Sequence, residues 1–255
     1  MRGLRATLRG ACAEAAAKPA ALVAQMLVMA VNDGVWVAFW VLFFHRVGTL
    51  GGWDADRILL LQAVLTTAGG LSLGVFANAR RVGTLAADGE LDSVLALPVA
   101  PLPYLLLRRI EPVNLGDLAF GIVLFAVAGH PTPARTLGFV LVSLASATLL
   151  TSFLVLSGAL AFFVGRGESG ELGFHAMLLL GSYPVDLFAG AVRVLLFTVV
   201  PAAFISAVPA RLIDDFDAGR AAALAASAAL FALAAAITFT LGLRRYTSGS
   251  VWTRG

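Results

Sequence analysis

Residues 136–164 read TLGFVLVSLASATLLTSFLVLSGALAFFV, 29 consecutive positions without a charged side chain. At about 1.5 Å per residue, a helix of this length exceeds the roughly 30 Å hydrocarbon core of a bilayer, so it must tilt or protrude. Its apolar residues run all round the helix rather than along one stripe. Such a helix is surrounded by lipid or by other helices. A bilayer admits only helices or closed barrels. A barrel would show segments of about ten residues with alternating polarity, and no such alternation runs through this chain. The rest of the composition agrees. Of 255 residues, 60% are hydrophobic and 13% charged, about half the charged share of a soluble domain.

Working outward from that stretch, five more apolar segments can be placed, at about 20–44, 57–77, 113–129, 189–208 and 221–243. The chain therefore reads as one all-α integral membrane domain over 1–255, with six transmembrane helices. Gly69-Gly70 and Gly74 in the second span allow a neighbouring helix to approach closely. Pro201 is expected to kink the fifth. Residues 2–17 form an interfacial helix, with Arg2, Arg5 and Arg9 on one face and Leu4, Leu8, Ala11 and Ala15 on another. No early apolar core or cleavage site makes it a signal peptide. A second interfacial helix is expected at 171–182.

Cytoplasmic loops collect Lys and Arg. With the N-terminus inside, the inner set is Arg2, Arg5, Arg9, Lys18, Arg80, Arg81, Arg108, Arg109, Arg166, Arg244, Arg245 and Arg254, twelve in all. The outer set is the five residues Arg46, Arg57, Arg135, Arg211 and Arg220, with Arg193 at the foot of the fifth span. Both termini, and the stretches 80–112 and 165–188, are then cytoplasmic, and the protein lies in the cytoplasmic membrane. Basic residues spread over span ends in this way do not make a nucleic-acid surface.

No chemistry of its own is legible in the chain. A phosphate-binding loop needs Lys followed by Ser or Thr after a Gly-rich turn. The only lysine is Lys18, and Pro19 follows it. Cys12 is the only cysteine, and His45, His130 and His175 show no ligand spacing. Asp214, Asp215 and Asp217 read as a solvated loop. The intramembrane polar groups stand out more. Asn32-Asp33 lies mid-span, where a carboxylate facing lipid is costly. It either lines a substrate path or subunit interface, or forms a structural hydrogen-bonded pair. Gln62 and Thr66 fit the same path or interface, or act with Thr67 as helix-helix glue. Asp117 is expected to bond a helix end or a nearby arginine.

The stretch 80–112 is too long and patterned for a turn. Within 88–98, Leu91, Val94 and Leu95 recur at helical spacing, Glu90 and Asp92 flank them, and Pro98 ends the run. A short amphipathic helix of this kind, held at the membrane surface, offers an apolar ridge to a groove in a soluble partner.

Gly89-Glu90-Leu91-Asp92, followed by Leu95 and Pro98, resembles the first cytoplasmic loop of ABC-2 type permeases. The likeness is nearest to the six-span group that works with a separate daunorubicin-export-like ATPase. Gly52-Trp53, Leu115-Gly116-Asp117-Leu118, Tyr183-Pro184, Pro201-Ala202-Ala203-Phe204, Val208-Pro209-Ala210 and Arg244-Arg245-Tyr246 extend it along nearly the whole chain. Leu97 departs from it, standing where an arginine is common. The resemblance implies an exporter built from two permease chains, identical or homologous, and two ATPase subunits that bind ATP and Mg. It also implies that Gly89, Glu90, Leu91, Asp92, Val94, Leu95 and Pro98 form the coupling helix. An ATP-independent secondary transporter or channel is the alternative, though such folds show paired broken helices and only one broken span is visible. A lipophilic or amphiphilic substrate fits spans lined by Ala, Leu, Val and Phe.

Overall fold

The computed structural model describes residues 2–165 and 169–246. Arg166 and Arg254, used above, lie outside the described residues. The described chain is helical. Its α-helices are α1 Arg2–Ala16, α2 Pro19–Val47, α3 Ala55–Gly69, α4 Val82–Ala87, α5 Leu91–Leu95, α6 Pro101–Leu107, α7 Pro112–Ala128, α8 Pro133–Ala159, α9 Ala161–Val164, α10 Ser169–Gly181, α11 Gly190–Thr198, α12 Ala207–Asp214 and α13 Ala218–Arg245. Among the described residues, four helices are long and apolar enough to cross a membrane: Pro19–Val47, Ala55–Val75, Pro133–Val164 and Ala218–Arg245. The number rises to six if each of two bent pairs counts as one span.

Local chemistry sets the helix starts. Asp54, Thr132 and Asp217 accept hydrogen bonds from the backbone N–H of Arg57, Arg135 and Arg220, capping α3, α8 and α13. Such caps satisfy donors that the first turn leaves orphaned. Proline opens α2, α6, α7 and α8, where its missing N–H costs nothing.

The centre of the bundle is α3 and α8. α3 packs on α7, α8, α12 and α2, while α8 packs on α13, α10 and α12. α2 and α13 flank this core with wide apolar faces exposed, including Val28, Val31, Val35, Leu230 and Leu233. Close approach depends on missing side chains. A Cβ at Gly70 would strike the Leu118 backbone, and one at Gly74 would come within 2.9 Å of the Leu115 side chain. One at Gly116 would come within 2.6 Å of the Met26 carbonyl oxygen. α7 is thus pressed against both α3 and α2. Gly69 has open space instead. Beyond it, residues Gly70–Val75 wind as a π-helix, a form that recurs at functional sites.

The bundle has two ends. The near end gathers α1, the 80–112 stretch and the C-terminal end of α13: α1 contacts α6, and Arg245 lies over the Phe163 ring. The far end holds Trp53, Arg57, Arg135 and Asp214, with Asp214 paired to both arginines.

Two segments differ from the expectation. α10 packs on α8. It starts where Gly170 meets the Arg80 carbonyl and climbs along α8, until Gly181 meets Leu65 and Tyr183 meets Trp36 and Trp40. It therefore runs from the near end towards the far one, and the turn after it brings Asp186 to Trp53. The 189–208 stretch, expected as a span, is split between α11 and α12, with a 61° bend at a break containing Pro201. Arg193 at the start of α11 and Arg211 near the end of α12 both pair with Asp186. Asp186 therefore ties the start of α11 to the end of α12.

The ends differ in charge. Among the described residues the far end carries six arginines (Arg46, Arg57, Arg135, Arg193, Arg211, Arg220) and six aspartates (Asp54, Asp56, Asp186, Asp214, Asp215, Asp217). The near end carries ten basic residues against six acidic ones.

Candidate functional site

The sequence-marked intramembrane residues converge. Met29, Asn32, Asp33 and Trp36 recur at helical spacing on α2, Gln62, Thr66 and Gly69 on α3, and Asn114 and Asp117 on α7. All of them line one cavity of about 280 Å³, closed on another side by Ser182 and Tyr183 after α10. Gln62 Nε2 donates to the Ser182 carbonyl at 3.3 Å, tying α3 to the end of α10. Thr66 Oγ1 donates within its own helix to the Gln62 carbonyl at 2.8 Å, so its partner is local rather than interhelical. Asn114 Nδ2 donates to the Leu73 carbonyl at 3.1 Å, satisfying a π-helix carbonyl from α7. Tyr183 stands edge-on to Trp36, ring centres 6.5 Å apart.

Asp33 and Asp117 are 8% and 7% exposed. Their carboxyl groups neighbour each other, and Asn32 neighbours Asp33. Asp117 therefore meets a second acid, not the helix end or arginine expected for it. The cause is the contact at Gly116, which brings α7 against α2 beside Met26 and sets residue 117 opposite residue 33. Each acid is visible in the sequence as an oddity within its own span. Their pairing across 84 positions has no local signal.

The second candidate lies at the near end. Gly89, at φ +77°, turns the chain from α4 into α5, a conformation that glycine adopts without strain. Leu91 and Val94 are each 1% exposed and belong to the core. Most of the apolar ridge expected to face a partner, Leu91 and Val94 but not Leu95, therefore turns inward. It anchors the short helix to its own chain, because burying these side chains is more favourable than leaving them in water. The surface offered outward is Asp92, Ser93, Leu95 at 41% exposure, Leu97 and Pro98. Glu90 reaches Arg108 at 4.0 Å. Asn78, which sequence reasoning passed over, is buried and donates to the Leu105 carbonyl at 2.8 Å, holding α6 under this loop. A polar cavity of about 750 Å³ separates the loop from the junction of α1 and α2, with Lys18, Arg81, Arg108 and Glu111 on its walls.

The family described as "ABC-2 family transporter protein" matches residues 30–250. The chain belongs to the ABC-2 transporter family. It is accordingly a multi-pass membrane protein and a permease component, with several helices long and apolar enough to cross a bilayer. ABC-2 membership also implies association with an ABC ATPase and usually with a second permease. No curated protein and no solved structure matches the chain.

Proposed function

We propose that this ABC-2 chain is the permease subunit of an ATP-driven exporter in the cytoplasmic membrane, powered by a separate daunorubicin-export-like ATPase. The observation that carries it is α5: a short helix rooted in the core by Leu91 and Val94, with Asp92, Ser93, Leu95 and Leu97 turned outward. A rigid root and an exposed tip are what a lever needs. The partner binds ATP and Mg, and closure of two ATPases pushes the tips of two permease chains. The chain itself contributes no nucleotide chemistry. Its near end, richer in basic residues, faces the cytoplasm. The chain then makes six crossings, with α10 as the fifth and both termini inside. The cargo is lipophilic or amphiphilic.

Coexpression with a cognate ATPase tests this. A copurifying complex with ATP hydrolysis stimulated by the permease is expected. A chain that purifies alone and drives transport from a proton or sodium gradient would be an ATP-independent transporter instead.

A further inference from the structure

We propose that the Asp33–Asp117 pocket receives the cationic ammonium head of a membrane-partitioned amphiphile. This rests on the exporter reading above and names the class of cargo.

Three observations carry it. First, two acids more than nine-tenths buried share one pocket, and none of its lining residues is Lys, Arg or His. The ion pairs found among the described residues lie at the two ends of the bundle, at Asp186, Asp214 and the Glu90–Arg108 and Glu111–Arg109 pairs among others. Intramembrane acids pair with a charge or line a pathway, and here the described residues lining the pocket supply no positive partner. Second, Trp36 and Tyr183 stand beside the acids. Aromatic rings and carboxylates together favour an organic cation. A bare metal ion would want six or more oxygen ligands, whereas most of this lining is carbon. Third, the pocket opens sideways. Trp36 and Leu179, both on its wall, are 39% and 61% exposed. A ligand can enter from the lipid without crossing the near-end polar cavity. At about 280 Å³ the pocket is small for a drug-sized ligand. It fits a head and the first part of a tail, and the remaining tail stays in the lipid.

The test uses the full chain in phosphatidylcholine nanodiscs and radiolabelled dodecyltrimethylammonium, with binding to empty nanodiscs subtracted. Saturable binding is expected. Asp33→Asn and Asp117→Asn should each weaken it at least about tenfold, which is about 1.4 kcal/mol. Should either variant fail to fold, Trp36→Leu at the pocket mouth gives the second handle, expected to weaken binding severalfold. Charge selectivity in the unaltered chain gives a third, with dodecyl sulfate and dodecanol failing to compete. Equal competition by dodecanol, affinities unchanged within twofold in all folded variants, or saturable sodium binding with no ammonium binding would each overturn the proposal. ATPase copurification is scored separately. A complex that assembles without binding the probe sinks the cargo class alone. Probe binding by a chain that recruits no ATPase sinks the exporter reading alone.

Discussion

The indole N–H of Trp53 donates to the Asp186 carboxylate at 2.9 Å, joining the loop between α2 and α3 to the turn after α10 across 133 positions. The same carboxylate takes Arg193 and Arg211, and Arg211 lies over the Trp53 ring. One partly buried acid therefore holds three segments. Asp186→Asn should lower stability by about 1–3 kcal/mol. The lower part of that range applies because the two arginines are partly exposed and screened. Trp53→Phe, which keeps the ring and loses the donor, should cost about 1 kcal/mol. Asp215→Asn, at an exposed site, should change little. Apparent melting temperatures in one detergent decide the order of the three.

The path of α10 makes a labelling prediction. In a Cys12→Ser background, a membrane-impermeant maleimide added to spheroplasts should reach Thr49→Cys and Leu187→Cys, but not Ser93→Cys. Leu187→Cys labelling only after permeabilisation would remove α10 as a crossing and restore the span at 189–208.

Leu91 and Leu95 should separate folding from docking. Leu91→Arg buries a charge in the core, a change beyond about 4 kcal/mol, so no folded protein is expected. Leu95→Asp alters an exposed tip. It should keep the melting temperature and weaken ATPase copurification about tenfold, equivalent to about 1.4 kcal/mol of contact. Wild-type copurification by Leu95→Asp together with Leu97→Asp would place the docking surface elsewhere.

The contact of α7 on α2 predicts a glycine contrast. Gly116→Ala pushes a Cβ to 2.6 Å from a backbone oxygen that cannot swing away, so about 1–3 kcal/mol of destabilisation is expected from overpacking. Gly34→Ala meets nothing within 4 Å and should be neutral or slightly stabilising, since alanine favours helix. Thermal unfolding of the two variants side by side checks this.

The long spans were legible because a bilayer demands apolar length, and the runs at 136–164 and 221–243 meet that demand without help from distant residues. The glycine contacts at Gly70 and Gly74 followed from the same logic. α10 was hidden because its 13 residues are short and carry Glu171 and His175, while Tyr183-Pro184 looks like an interruption rather than a helix end. The pair α11–α12 is apolar enough to pass as a single span, and its bend beside Pro201 and its shared hold on Asp186 set it apart from a straight one. At the candidate sites, Asn32, Asp33, Gln62 and Thr66 could be named from their polarity inside apolar runs. That Asp117 completes them depends on how α7 lies on α2. For α5 the helical spacing was readable but not the direction of its apolar face, because a ridge suited to a partner's groove is equally suited to the chain's own core.

The balance of six arginines against six aspartates at the far end bears on biogenesis. On the topology proposed above, these loops must travel outward against an inside-negative potential during insertion. Each uncompensated positive charge would oppose that by about 2.3 kcal/mol per 100 mV. Arginines that travel with an equal number of aspartates cross as an electrically neutral load. The outer cap can thus be rich in ion pairs without the membrane voltage resisting its delivery.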